Sequence, residues 1–299
     1  MLIAIVAVFG VAVAAAMRLV PLAGSWATRL GFVAHSNPDV PTHRRRVPLL
    51  GGAAVVACVL PVLLWAAFTD DRWGYALGGF SWLIGLGAFK DRVERPVSPA
   101  TQLVVQFLAS GLLVAGGFRA HLLSDPALDD VLTIGLSVAV LNAWNFVDVS
   151  DGLAGALFLS GLPLLIALSW ADMNAPAALV AAALAGGLSG FLRYNWFPAR
   201  IFLGDVGSFG VGYLINVLIL EMIGRGHSPV LSATPVALPV LDLIFTCATR
   251  ILAGRSPFRG GKEHIPLRLL ARGWSSKRLA IGASLLSLVI CATAYLLAR

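Results

Sequence analysis

Apolar runs of bilayer-crossing length recur along the whole chain, separated by short polar segments. Each is long enough to supply the roughly 17–25 helical residues that span a hydrocarbon core. They predict membrane spans near 2–22, 48–68, 74–89, 101–118, 131–147, 153–170, 175–192, 203–223, 233–252 and 279–298, the third being short. Backbone inside lipid has no water to bond, so each span is predicted to be a helix. The period-two alternation of membrane-barrel strands is absent. The fold class is therefore all-α: one polytopic membrane domain over 1–299, with about ten transmembrane helices. The first run lacks a basic start and a small-residue cleavage site, and further spans follow it, so it is kept as a span.

Composition agrees with this pattern. Of the 299 residues, 58% are hydrophobic and 12% are charged, against about 25% charged in a soluble domain. Mean hydropathy is +0.85. A net charge of +7 would suggest nucleic acid in a soluble protein; here its distribution points elsewhere, and no nucleic-acid partner is expected. With the amino terminus outside, 18 of the 22 Lys and Arg fall on inner segments. The exceptions are Arg72, Arg119, Arg225 and Arg299. The positive-inside rule fixes that orientation for an even span count. The outer loops 69–73, 119–130, 171–174 and 224–232 are short. The inner loops 23–47, 90–100, 148–152, 193–202 and 253–278 carry nearly all the polar chemistry, so the cytoplasmic face is the working face. Cys58, Cys247 and Cys291 all lie in predicted spans and read as small buried hydrophobes. No internal repeat is evident, which argues against an inverted-repeat transporter.

The segment 142–153, NAWNFVDVSDGL, closes one span and opens the next. Asn142, Asn145, Asp148 and Asp151 follow a three-residue step that puts them on one helical face. No Lys or Arg lies between 120 and 192, so the two carboxylates call for a divalent cation or a cationic loop from elsewhere. A polar interfacial turn with capping Asp residues is the alternative. A second segment runs from Asn195 to Ser208, with Asp205 between Gly204 and Gly207. Glycines let backbone approach a ligand closely, and a carboxylate among free N–H groups suits a metal–phosphate assembly. A helix cap at Asp205 is the plainer reading. The loop 90–99 holds Lys90, Asp91 and Arg92; the loop 35–46 holds His43 and Arg44–Arg46. The last inner loop gathers Arg255, Lys262, His264 and Arg268, groups suited to a diphosphate. Ordinary membrane-surface electrostatics also accounts for such charges.

Together these motifs resemble the polyprenyl-phosphate N-acetylhexosamine-1-phosphate transferases, relatives of the phospho-N-acetylmuramoyl-pentapeptide transferases. The pattern N-x-x-N-x-x-D-G-x-D-G-L is similar to 142–153, with Val149 in place of Gly. Asn followed by F-M-G-D-x-G-S is similar to Asn195 and 202–208. Gly51 and Gly52 after His43, Ser256 with Pro257, and His264 with Ile265 also match, in order along nearly the whole chain. The departures are specific. Lys90 precedes Asp91 where that family has an Asp-Asp pair. Pro266 and Leu267 replace two later histidines, and Gly261 an acidic residue. Ala100, Thr101 and Gln102 stand where a basic residue is usual.

The resemblance implies transfer of a sugar-1-phosphate from a UDP-sugar to a polyprenyl phosphate, with loss of UMP. It implies Mg²⁺, or Mn²⁺, held by Asp205. Asp91, Asp148 and Asp151 become the catalytic carboxylates. Asn142, Asn145, Asn195, Gly204, His43, Lys262, His264 and Arg268 become substrate contacts, with Asn195 and Asp151 near the nucleoside. The membrane and the lipid are the expected partners, and a homodimer is an open assembly. Two other readings stay beside it: a homologue that binds the lipid carrier without catalysis, and a transporter using Asp205, Glu221 and Asp242.

Overall fold

The computed structural model describes residues 1–34, 47–93, 97–257 and 261–298. Within them lie α1 (Leu2–Leu30), α2 (Gly51–Thr69), α3 (Asp71–Arg92), α4 (Pro99–Ala115), α5 (Pro126–Val147) and α6 (Leu153–Ala171). The chain continues through α7 (Ala175–Asn195), α8 (Gly204–Gly224), α9 (Pro229–Ala233), α10 (Ala237–Leu252), α11 (Ile265–Ala271) and α12 (Ser276–Leu297). Every predicted span has its helix. Eight helical segments are long and apolar enough to cross a membrane. The other two predicted spans are α3 and α4. α4 is apolar but has only 17 residues. α3 is long enough, but its glycines, tryptophans and terminal charges dilute its hydropathy.

Several differences from the predicted boundaries have local causes. α1 runs to Leu30 rather than 22 because its polar last turns continue until Gly31, which takes φ 78° and stops the helix. The ninth span is broken: α9 and a 3₁₀ turn over Thr234–Val236, each opened by a proline, precede α10. The last inner loop folds a short helix of its own, α11, which hydrophobic periodicity does not reveal. Helix starts follow capping chemistry. Ser98 before Pro99, Asp125 before Pro126, and Asn174 two residues before Pro176 each accept an N–H of the first turn.

α8 is the centre of the bundle. It packs on α2, α3, α5 and α6, and its most apolar window is wholly enclosed. α1 lies along α7, and α6 is held between α7 and α12. At the α8 carboxyl end, Glu221 is 1% exposed and set among cations. It accepts from Asn174 at 2.9 Å and Arg225 at 2.8 Å, and pairs with Arg72 at 3.0 Å. That clamp ties α3, α7 and α8 together and accounts for Glu221 without an ion pathway. The opposite, amino-terminal end of α8 carries the polar motifs.

Candidate active site

The amino terminus of α8 sits in a glycine-built socket. A Cβ on Gly52 would lie 2.2 Å from Gly207 Cα, and one on Gly87 would lie 2.5 Å from Val206 N. α2 and α3 therefore reach α8 backbone to backbone. The N–H groups of Gly51 and Gly52 donate to the carbonyls of Phe202 and Leu203 at 3.0 and 2.8 Å. Gly204 adopts φ +72°, and a side chain there would meet Leu49 O at 2.4 Å and Asp91 Oδ2 at 2.6 Å. The sequence places glycine where no Cβ fits.

Asp91 caps α8 from another helix. Its two oxygens accept the backbone N–H of Asp205 at 2.9 Å and of Val206 at 3.2 Å. These are orphan donors of the first turn, at the positive end of the helix dipole. The cap role for which Asp205 is a sequence candidate thus belongs to Asp91, and the Asp205 side chain is released for other work. Asn145 Nδ2 donates to Asp205 Oδ1 at 2.6 Å and to Ser208 Oγ at 3.0 Å. Lys90 Nζ stands 3.2 Å from Asp205 Oδ2. The same ammonium donates to Gln102 Oε1 at 2.8 Å and lies 4.7 Å over the Phe209 ring. Gln102 passes the contact to Asn142 at 3.0 Å, and Asn142 to Gln106 at 2.8 Å.

These groups floor a cavity of about 720 Å³. Lys90, Gln102, Asn142, Asn145 and Asp205 supply its polar end. Its walls are apolar and come from α4, α5 and α10, through residues such as Leu103, Val138, Leu243 and Ile251.

On the other side of Gly204, Asp148, Ser150, Asn195 and Phe202 line a small cavity of about 80 Å³. Asn195 braces two turns: its Oδ1 accepts from Gly152 N at 3.0 Å and its Nδ2 donates to Ile201 O at 2.9 Å. Asp151 Oδ2 accepts from Ala199 N at 2.9 Å. Both residues shape the loop between α7 and α8. Burial first, and then the charges of Asp205, Asp91 and Asp151, push the Asp148 carboxyl up to about 7.

A stability prediction follows from Asp148. The folded state binds a proton there that the unfolded chain, with the carboxyl at 3.8, releases. Stability contributed at low pH is therefore lost as pH rises through the window from 3.8 to about 7. Asp148→Asn removes that loss. Its thermal midpoint should match wild type near about pH 4 and exceed it by at least about 5 °C near about pH 8. Equal midpoints at both pH values would place Asp148 in a solvated setting.

A third cluster stands behind Phe146, which lines the large cavity. His264 is 6% exposed, with its Nδ1 2.9 Å from Asp242 Oδ2 and its Nε2 3.4 Å from Arg250 Nη2. Asp242 accepts the Nδ1 proton and Arg250 donates to Nε2, which selects the Nδ1–H tautomer. Asp242 also accepts Ile265 N at 2.7 Å, so it fixes the start of α11. Arg250 pairs with Glu263 at 3.2 Å and Arg255 with Glu263 at 2.7 Å. Burial alone would raise the Glu263 carboxyl. Its own backbone N–H, Arg250 and Arg255 outweigh that and hold it below the usual range. The His264 ring meets Phe146 edge-on at 5.0 Å.

Of the residues expected from sequence, Asp91, Asn142, Asn145, Gly204 and Asp205 converge on the floor of the large cavity or its α8 support. Asp148 and Asn195 line the smaller one, and Asp151 instead holds the Ala199 amide. His264 is internal, held by Asp242 and Arg250. Arg268 stacks 4.8 Å over Phe245 and donates to Glu263 O, and Lys262 is exposed. Neither side chain lines the large cavity. His43 lies outside the described residues. Arg250, Gln102, Gln106 and Ser208 join these clusters without having stood out in the sequence as site residues. For Gln102 the signal is present, since it fills a position where the resemblance expects a basic group.

Two carboxamides, a glycine-seated helix terminus and its carboxylate thus stand together, and the sequence model for glycosyl transferase family 4 matches residues 53–223, more than half of the chain. The chain belongs to glycosyl transferase family 4. A Mycobacterium leprae (strain TN) member, decaprenyl-phosphate N-acetylglucosaminephosphotransferase, is 30% identical over 87% of this chain and 75% of its own length. A Bacillus subtilis (strain 168) member, a probable undecaprenyl-phosphate N-acetylglucosaminyl 1-phosphate transferase, is 27% identical over 99% of this chain and 86% of its own. The phospho-N-acetylmuramoyl-pentapeptide-transferase of Kosmotoga olearia is 32% identical over 65% and 56%. As a family 4 protein the chain is a multi-pass membrane enzyme of the glycosyl-1-phosphate transferase type. The acids behind the transporter reading each have a cationic or imidazole partner: Glu221 has Arg72 and Arg225, Asp242 has His264, and Asp205 has Lys90.

Proposed function

We propose that the protein transfers an N-acetylhexosamine-1-phosphate from a UDP-sugar to a polyprenyl phosphate such as undecaprenyl phosphate, releasing UMP for cell-envelope polysaccharide synthesis. The large cavity carries this reading. Its apolar walls suit a prenyl chain, and its polar floor of Lys90, Asn142 and Asn145 suits the phosphate at the end of that chain. An oxygen of the acceptor phosphate forms a bond to the sugar-bound phosphorus. The bridging P–O bond breaks, and the electron pair leaves with UMP. The acceptor's second pKa is near 6, so it reacts as a dianion at neutral pH and needs no strong base. Asp91, with both oxygens on α8 amides, acts by positioning Asp205 rather than by taking a proton.

Asp205 would hold Mg²⁺, with Mn²⁺ as a substitute. No group of three or more acidic, His or Cys side chains gathers as a cage among the described residues. One partly exposed carboxylate still fits, because Mg²⁺ keeps its waters and takes most other ligands from substrate phosphates. When bound, the ion supplies neutralising charge to the diphosphate. Asn145 orients the Asp205 carboxylate, and Lys90 is a cation for phosphate oxygens. The small cavity beside Asp148 and Phe202, at about 80 Å³, has room for a few waters and not for a nucleoside.

Purified protein with undecaprenyl phosphate, Mg²⁺ and a panel of UDP-sugars should release UMP with at least one UDP-N-acetylhexosamine. Lipid binding without UMP from any donor would instead support a non-catalytic carrier-binding homologue. The site is proposed to face the cytoplasm of a bacterial plasma membrane, on the strength of the Lys and Arg bias of the loops around it. A reporter fused after Arg272 should read cytoplasmic, and one inserted near Asp125 external. The reverse pattern would put the site on the wrong side for a UDP-sugar.

A further inference from the structure

The two departures from the family pattern around α3 and α4 meet in space. Lys90 stands where a carboxylate is expected and Gln102 near where a basic residue is expected, and their side chains bond at 2.8 Å. A positive charge has in effect moved from α4 to α3 and been turned toward Asp205. The Lys90 side chain is only 16% exposed and that of Asp205 23%. The ammonium has a partner on each side: Asp205 Oδ2 at 3.2 Å, Gln102 Oε1 at 2.8 Å and the Phe209 face at 4.7 Å. This is a built seat and not a loose surface pair, because each contact comes from a different part of α8 or α4.

We propose that Lys90 is a resident counter-cation at Asp205, which keeps a divalent ion out of the empty site and yields only when a nucleotide diphosphate arrives. The inference rests on Asp205 being the metal-holding carboxylate of the proposed function. Without nucleotide, a divalent cation at Asp205 Oδ2 would stand beside an ammonium, and Asp91, the carboxylate next in sequence to Lys90, is already taken up by the α8 amides, so the repulsion is poorly offset. A diphosphate supplies the offsetting anion. The ammonium then has a phosphate oxygen to turn to, and with three N–H donors it can keep its bond to Gln102 Oε1 as it does so. Metal and nucleotide should therefore bind together, in contrast to a site where two carboxylates load the ion first.

The test is Mn²⁺ binding followed by electron paramagnetic resonance on detergent-solubilised protein, with Mn²⁺ alone and with Mn²⁺ plus UDP. Wild type should bind Mn²⁺ weakly alone and markedly tighter with UDP. Lys90→Gln and Lys90→Met should bind Mn²⁺ alone at least about ten-fold tighter than wild type, the size of effect that groups beside a metal ligand exert. Lys90→Arg should behave as wild type. Two neutral variants are included so that loss of fold in one leaves the other informative. Equal Mn²⁺ affinity in wild type and the neutral variants, without UDP, overturns the inference and leaves Asp205 as a metal ligand. No Mn²⁺ binding in any variant, with or without UDP, overturns the metal reading of Asp205 and the inference with it.

Discussion

Asp205→Asn is expected to lower UMP release by at least about 100-fold while the protein still folds and inserts, since one misplaced charge-stabilising group costs that much. The structure separates the two effects. α8 is capped by Asp91 and seated by the Gly51 and Gly52 amides, and neither contact uses the Asp205 side chain. An amide of the same shape keeps an oxygen toward Asn145, so the loss is one of charge. It removes the anion that faces Lys90 and that is proposed to hold the metal. The elution profile should match wild type, any fall in thermal midpoint should reflect only the lost Lys90 pairing, and the deficit should persist at saturating Mg²⁺. Near-full activity with unchanged Mg²⁺ dependence would reduce Asp205 to a structural partner of Lys90 and Asn145.

The spans are legible because a bilayer imposes one length and one secondary structure on any apolar run. α2, α5, α6, α7, α8 and α12 therefore sit close to where hydrophobicity puts them. Asp205 and Asn145 are legible as a site because polar groups at a membrane edge need partners, and each proves to be the other's. Pairing across helices is what the sequence conceals. Lys90 and Asp91 are neighbours in the chain, which suggests that they are partners. Successive helical residues point about 100° apart, so Asp91 reaches the α8 amides and Lys90 reaches Asp205. His264 reads as a phosphate ligand because it sits among basic residues. Its partner Asp242 lies 22 residues earlier on another helix, a separation that local pattern does not encode. Arg250 reads as one more inner-loop charge, yet it joins Glu263, His264 and the Pro257 carbonyl.

The glycine contacts carry the second large expected effect, because they decide whether Asp205 stands anywhere definite. Gly52→Val is expected to prevent accumulation of folded protein, and Gly52→Ala to lower both thermal midpoint and UMP release. The added Cβ would lie 2.2 Å from Gly207 Cα, 2.3 Å from Gly207 N and 2.4 Å from Leu203 O. All three are backbone atoms, so no side chain can rotate away, and α2 must move off α8. Overpacking that side-chain shifts can absorb costs about 1–3 kcal/mol; here the shift also pulls on the Gly52 N–H to Leu203 O bond of 2.8 Å, one of the ties that hold the turn before Asp205. Loss of activity should therefore exceed what the fall in thermal midpoint alone explains. Gly85→Ala is the matched control, since a Cβ there meets nothing within 4 Å and it sits in α3, one of the helices that form the socket. It should be neutral or slightly stabilising, as Gly in a helix interior gives up roughly 0.5–1 kcal/mol relative to Ala. A Gly52→Ala protein with wild-type midpoint and activity would mean that α2 and α8 separate without disturbing Asp205, and that the glycine socket does not position the site.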